Sequence, residues 1–151
     1  MILVADLMTA DPVVVQPADT LQHVAQLMDD LNVGALPVCK DGQVLGIVTD
    51  RDITVRATAV GLDPASTSVD LVMSHRVRCC FEEQTPDEVL QQMASVQIRR
   101  MPVLDDADRL VGMLSLGDLS AQHTDGVEQT LREISTPSAP DRAEPGSAEP
   151  G

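Results

Sequence analysis

Two short elements, Thr49-Asp50-Arg51-Asp52 and Ser115-Leu116-Gly117-Asp118, each set a hydroxyl three residues ahead of a carboxylate. Each follows an apolar stretch with strand character and opens a helical one. The free N–H groups of a first helical turn, together with the helix dipole, favour an anion at such a place. A phosphate there can accept from the Thr49 or Ser115 hydroxyl and the turn amides, while the Asp52 or Asp118 carboxylate accepts from hydroxyl groups. The same spacing is also a helix capping box, in which hydroxyl and carboxylate satisfy each other's backbone N–H groups. Both roles stay open, and they are compatible. Arg100, just before Met101-Pro102, adds a guanidinium that can pair with phosphate oxygens bidentately. Alternatively it offsets Asp105, Asp106 and Asp108 at the surface. Arg99, its strand neighbour, faces the opposite way.

These residues recur because the chain repeats itself. A shift of about 65 residues aligns Val4 with Val69, Met8 with Met73, Thr20 with Thr85, Pro37 with Pro102 and Val38 with Val103. With one extra residue in the second acidic turn, Gly46 meets Gly112, Thr49 meets Ser115 and Asp52 meets Asp118. In the first half, Val13-Val14-Val15 reads as a short buried strand between Pro12 and Pro17, and Asp19-Thr20 as a helix start. Leu21, Val24, Leu27, Met28 and Leu31 then mark one apolar helix face. Leu36 to Cys39 and Val44 to Thr49 flank Asp41-Gly42, a dipeptide suited to a tight hairpin turn. A second helix is expected from near Asp50 through Ile53 and Val55 toward Ala59. The second half repeats the order with a strand at Val77 to Cys80, a helix from Pro86 to Val96, strands at Met101 to Leu104 and Leu110 to Ser115, and a helix from Gly117. Each half is too small to bury both faces of its sheet alone, which predicts two halves packed about a pseudo-twofold axis.

Composition narrows the function classes. The 151 residues carry a net charge of −14, and this acidity opposes nonspecific attraction to nucleic acid or anionic lipid. Neither partner is expected. Phe81 is the only aromatic residue, so the core must be aliphatic and methionine-based, and there is no Trp or Tyr to stack on a base. No apolar run approaches the roughly 18 residues of a membrane span, and Met1 to Asp6 lacks the character of a secretory signal, so the cytoplasm is the expected compartment. Cys39, Cys79 and Cys80 lack metal-ligand spacing and are expected to be structural thiols, with a redox role as the alternative. His23, His75 and His123 are isolated from one another, and no phosphate loop or nucleophile elbow is present, so a non-enzyme is expected and no metal. Asp105-Asp106-Ala107-Asp108 lacks the glycine and spacing of a calcium loop and reads as a solvated turn. From Thr136 onward, Pro137, Pro140, Pro145 and Pro150 among Ser, Ala, Gly and acids predict a disordered tail.

Ala35-Leu36-Pro37-Val38, Asp41-Gly42 and Gly46-Ile47-Val48-Thr49-Asp50-Arg51-Asp52-Ile53 together resemble the signature of the cystathionine-beta-synthase (CBS) domain. Arg99 to Val103 with Gly112 to Asp118 resembles a second copy, and the Leu7-Met8 and Val72-Met73 leaders fit as well. Two tandem copies resemble a Bateman module. The resemblance implies an α/β (α+β) fold of two β-α-β-β-α repeats, residues 1–66 and 67–135, the latter with a C-terminal helix, followed by the tail 136–151. It implies no required cofactor, a homodimer, and a regulatory role in which an adenosine-containing ligand (AMP, ADP, ATP or S-adenosylmethionine) binds in a cleft between repeats and modulates a partner protein. Carried over residue by residue, it assigns phosphate and ribose contacts to Thr49, Asp52, Ser115 and Asp118, and a phosphate contact to Arg100. Gly34, Ala35, Pro37 and Pro102 could leave a slot for a flat purine, or simply pack the sheet. Leu116-Gly117 replaces Asp50-Arg51 in the second copy and puts its phosphate-facing turn in doubt. The alternative is a ligand-independent dimeric interaction module.

Overall fold

A computed structural model describes residues 1–96 and 98–120. The expected tail and the end of the C-terminal helix lie outside the described residues. The chain forms two compact units: residues 13–77, and residues 1–12 together with the segment that begins at 78. This partition differs from the repeat boundary in the sequence, because each repeat's leader packs with the other repeat's sheet.

In the unit 13–77, α2 (Leu21–Leu31) starts at Thr20, whose hydroxyl accepts the His23 N–H at 3.2 Å, and ends at Asn32 in the left-handed conformation. The hairpin β2 (Ala35–Lys40) and β3 (Gln43–Thr49) turns at Asp41 and Gly42, with φ of 54° and 81°. Positive φ at both central residues gives the twist that antiparallel strands prefer. Helix α3 (Asp50–Asp52) continues as a π-helical turn, Ile53–Ala57, and a 3-10 turn, Thr58–Val60, where a single regular helix is expected from the apolar spacing. The core gathers Val15, Leu21, Val24, Met28, Leu36, Val38, Val48, Ala57, Val69, Val72 and Met73. Leu31, expected on the apolar face of α2, is 41% exposed.

The other unit begins with α1 (Val4–Leu7) and β1 (Thr9–Ala10) and resumes with β4 (Cys80–Phe81), α4 (Pro86–Val96), β5 (Arg100–Leu104), β6 (Leu110–Ser115) and α5 (Leu116–Ser120). Its sheet has the order β1-β6-β5-β4, with only the β4–β5 pair parallel. Val4, Cys80, Val89, Leu90, Met93, Met101, Val103, Leu114, Leu116 and Leu119 form its core. Pro86 occupies the first position of α4, where its missing N–H costs nothing. Thr85 and Glu88 close a capping box: the Thr85 N–H and hydroxyl each donate to Glu88 Oε1 at 3.0 Å, and the Glu88 N–H donates to the Thr85 hydroxyl at 3.4 Å. The Thr85 N–H and then its hydroxyl hold the Glu88 carboxyl below its ordinary value of 4.5.

Two expected strands are shorter than their apolar runs, and the prolines explain why. Val15 pairs in parallel with Val38 by donating to Pro37 O (3.0 Å) and accepting from the Cys39 N–H (2.8 Å). Continuing this ladder backward would need an N–H on residue 37 to reach the Val13 carbonyl, and proline has none. Val13 and Val14 are therefore unpaired and 43% and 40% exposed. Pro102 stands at the same place beside β4, and pairing there starts at Cys80 rather than Val77.

The leaders dock where a glycine allows it. Ser74 and Ile47 exchange both backbone hydrogen bonds, at 2.8 and 3.0 Å. A Cβ on Gly46 would lie 2.6 Å from Ser74 O and 2.8 Å from Met73 Sδ. In the other unit β1 pairs with β6, and a Cβ on Gly112 would collide with Met8 Sδ and approach Thr9 O to 2.9 Å. Cβ atoms do not tolerate such distances to backbone, so each glycine is the condition for its leader's approach.

Three outcomes follow from this packing. Gly46→Ala and Gly112→Ala should each cost about 1–3 kcal/mol in urea unfolding as the leader is pushed off. Gly117→Ala, whose Cβ would meet only Ser115 Oγ at 3.5 Å, should be neutral or up to about 1 kcal/mol stabilising. A fragment cut as 13–77 should unfold cooperatively, whereas one cut as 1–66, which lacks Met73 and Ser74, should not; equal cooperativity would refute the exchanged-leader account. Glu88, with its carboxyl depressed on folding, stabilises fully above about pH 4.5 and loses that contribution as pH falls through its lower folded value. Glu88→Gln should therefore flatten the acid side of the stability curve there and leave the neutral side unsloped.

Candidate functional site

The hairpin register decides which candidate residues meet. Ala35 lies opposite Thr49 and Pro37 opposite Ile47, so these four side chains share one face of the β2–β3 hairpin. Leu36, Val38 and Val48 point to the other face, into the core. In the second repeat Arg100 lies opposite Ser115 and Pro102 opposite Met113, again on the face away from Met101, Val103 and Leu114. Each half thus gathers its residues on the sheet face opposite its core, at the edge where a helix begins. Pro37 and Pro102 are buried, Ala35, Thr49 and Ser115 half-buried, and Arg100 exposed.

The helix starts themselves are built alike. Thr49 N–H donates to Asp52 Oδ2 at 2.9 Å, and Asp52 N–H donates to Thr49 Oγ1 at 3.0 Å. Ser115 N–H donates to Asp118 Oδ2 at 2.8 Å, and Asp118 N–H to Ser115 Oγ at 3.1 Å. Both capping boxes are complete, so the structural role open at the level of spacing is present in both halves. Each box leaves the hydroxyl with its proton and the carboxylate with further lone pairs. Just before each box the chain is tied back to its hairpin: Asp50 N–H donates to Gly34 O at 3.0 Å and Leu116 N–H to Arg99 O at 2.8 Å.

The halves differ in charge. Beside Thr49, the Asp50 carboxylate accepts the Arg51 N–H at 2.8 Å, and Asp50 Oδ2 lies 3.1 Å from where a Gly34 Cβ would sit. The Asp50 carboxylate therefore lies against the backbone of Gly34. Beside Ser115 the corresponding residues are Leu116 and Gly117, and Arg100 stands where the first half has Ala35. Around the first helix start Asp50 and Asp52 are accompanied by Arg51 and Arg56; around the second, Asp118 is accompanied by Arg100 across the hairpin from Ser115.

One participant is absent from the sequence reading. Arg56 lies with its Nε 3.8 Å from Asp52 Oδ1, while its Nη1 donates to Val72 O at 3.0 Å and Met73 O at 3.2 Å. The i,i+4 spacing from Asp52 is its sequence signal, but the carbonyls come from a leader distant in sequence. The thiols do no visible chemistry. Cys39 and Cys80 are buried and Cys79 half-buried, all unbridged. Burial, with Cys79 beside it, pushes the Cys80 thiol up to about 12, and burial with the Asp108 charge raises Cys79. Neither is primed as a thiolate at neutral pH. In the acidic turn, Asp105 Oδ1 accepts from Ala107 and Arg109 N–H groups at 2.9 and 3.0 Å, as a turn-forming aspartate does. Among the described residues no cluster of His, Cys, Asp and Glu could hold a metal ion, and no helix is long and apolar enough to cross a membrane.

Comparison with known proteins agrees with this duplicated arrangement. The CBS domain model matches residues 4–57 and again 68–122. The CBS domain-containing protein YhcV of Bacillus subtilis is 43% identical over 117 residues, covering 78% of this chain and 82% of its own length. The crystal structure of Hypoxic Response Protein I, solved with two coordinated zinc ions, superposes with a TM-score of 0.73 at 33% identity, over 82% of this chain and 99% of the other. The CBS domain pair of protein MJ0100, solved with 5′-methylthioadenosine and S-adenosyl-L-methionine, gives 0.71 at 26% identity, over 82% of this chain and all of the other. Two family matches in register with the two capping-box halves leave one conclusion: the chain belongs to the CBS domain family and carries two copies of that domain.

Proposed function

We propose that the chain is a regulatory rather than catalytic module, which binds an adenosine-containing ligand and passes its occupancy to a partner protein. The observation that carries this reading is the duplicated half-site: Thr49, Ala35 and Pro37 in one repeat and Ser115, Arg100 and Pro102 in the other, each on the sheet face away from the core, with Asp52 and Asp118 in the helical turn that follows. In each, the backbone N–H groups of the capping box are already engaged, and what is offered is the Thr49 or Ser115 hydroxyl proton to a phosphate or other acceptor and the remaining lone pairs of the Asp52 or Asp118 carboxylate to ribose hydroxyls. The MJ0100 domain pair, solved with two adenosine derivatives, supports this ligand class. With Phe81 the lone aromatic residue, adenine is held by aliphatic side chains and backbone edges.

Charge divides the labour between the repeats. The half with Arg100 takes the phosphorylated ligand (AMP, ADP or ATP), because the guanidinium offsets a net charge of −14 locally. The half with Asp50 and Asp52, whose charges Arg51 and Arg56 balance, has Ala35 where the other has Arg100 and takes the less highly charged ligand, such as S-adenosylmethionine. Occupancy shifts the module's conformation only as far as the ligand's affinity differs between states. No cofactor is required for such a role.

A ligand-independent homodimeric interaction module is the second reading. It is favoured by capping boxes that are complete without a ligand and by the exposed apolar Val60 and Leu71, 66% and 70% accessible.

Calorimetric titration of ligand-stripped protein with AMP, ATP and S-adenosylmethionine separates the two. At least one should bind, and Arg100→Ala should weaken AMP and ATP about tenfold or more, the worth of a charged hydrogen bond. Asp118→Asn, which keeps a capping oxygen, should weaken binding in the same half. Silence from all three ligands, with thermal shifts flat across the panel and a stable dimer in sedimentation, would leave the interaction module standing instead.

A further inference from the structure

We propose that Arg56 is a positioning residue of the first-repeat site, whose guanidinium, anchored on the Val72 and Met73 carbonyls, holds the Asp52 carboxylate in the orientation it presents to a ligand. The presentation to a ligand rests on the adenosine-binding reading above; the orientation itself does not.

Asp52 is held at both oxygens. Oδ2 accepts the Thr49 N–H at 2.9 Å, and Oδ1 faces Arg56 Nε at 3.8 Å. A carboxylate held only through the capping box can rock about that single bond; a cation at the second oxygen restrains the rotation. The cation is itself restrained, because Nη1 donates to Val72 O at 3.0 Å and Met73 O at 3.2 Å. Two backbone acceptors and one carboxylate use the planar fork of arginine in a way a lysine ammonium cannot reproduce. The side chains of Arg56 and Asp52 are only 17% and 13% exposed, so solvent screens their interaction less than it would a surface pair.

Two further features single out this place. Arg56 sits within the π-helical turn Ile53–Ala57, which closes with Thr58 N–H reaching both Ile53 O and Thr54 O. Such widened turns concentrate at functional sites. Its acceptors belong to the leader that docks against Gly46, and the chain leaves this unit after Val77. The orientation of Asp52 is therefore tied to the segment through which the chain crosses between units. In the second repeat, the residue four places after Asp118 is Gln122, which carries no charge. The cation at this spacing is a property of the first repeat.

The Thr49 amide, which donates to Asp52, and the Ser115 amide, which donates to Asp118, form a reporter and an internal control. Amide exchange on the full ligand-free chain should show Arg56→Gln speeding Thr49 exchange about fivefold, the worth of one partly exposed ion pair, with Ser115 unchanged. Arg56→Lys should fall between wild type and Arg56→Gln, and it carries the comparison if the Gln variant folds poorly. An unchanged Thr49 amide in a variant whose Tm falls would make Arg56 a structural strut and overturn the proposal. Titration with S-adenosylmethionine adds a second arm. The double variant of Asp52→Asn and Arg56→Gln should bind no more weakly than Asp52→Asn alone, because Arg56 acts through Asp52; single losses that multiply would overturn it. A wild-type chain that binds no ligand refutes the function proposed above, and the exchange arm then decides the role of Arg56 by itself.

Discussion

The docking of each leader against a bare glycine backbone is the constraint on which the rest of the structure depends. Ile47 exchanges two hydrogen bonds with Ser74, and β1 pairs with β6, only because Gly46 and Gly112 present no Cβ to Met73, Ser74, Met8 and Thr9. Each leader adds backbone hydrogen bonds to its hairpin that a side chain at the glycine would prevent. The arrangement also ties the halves together through the chain: residues 1–12 complete the unit of the second repeat, and Val69 to Met73 complete the core of the first. A fold of this size, with one aromatic side chain, has little apolar surface to spare, and sharing the leaders recruits Val4, Val69 and Val72 into cores that would otherwise be open on one side.

The capping boxes are a second economy. The groups that cap the helix starts are the same groups that the proposed function assigns to a ligand. A capped helix start is preorganised: Thr49, Asp52, Ser115 and Asp118 are held at 2.8–3.1 Å before anything binds. The asymmetry lies in what surrounds them. Asp50 packs against Gly34 in one half, and Arg100 lies opposite Ser115 in the other. Duplication preserved the frame while the charges around it diverged.

Much of this was legible in the linear pattern. The apolar spacing located α2 and α4 closely, Asp41-Gly42 located the hairpin, and the hydroxyl-x-x-carboxylate spacing located both helix starts. Local rules suffice where a signal and its structural cause lie within a few residues of one another. The misreadings share the opposite character. Val13 to Val15 has the composition of a strand, yet pairing stops at Val15 because a proline distant in sequence, Pro37, has no N–H to offer. The helix after Asp52 has ordinary apolar spacing, yet it widens into a π turn where Arg56 reaches the leader. Arg56 itself gave no signal beyond its spacing from Asp52, since its role depends on carbonyls that carry no side-chain identity.

The sequence by itself determined the duplication, the order of strands and helices in each half, the family, and the residue types at both helix starts. Those properties are written in periodicity and spacing, which short-range sterics and hydrogen bonding read directly. Only the tertiary structure decided that the leaders cross over, that Ala35, Pro37 and Thr49 share a face as do Arg100, Pro102 and Ser115, that Asp50 lies against the backbone of Gly34, and that Arg56 holds Asp52 against a distant segment. Each of these rests on backbone groups meeting across long separations. Every residue carries the same N–H and C=O, proline's missing N–H apart, so the pairing is set by which surfaces pack together and not by any residue's own chemistry.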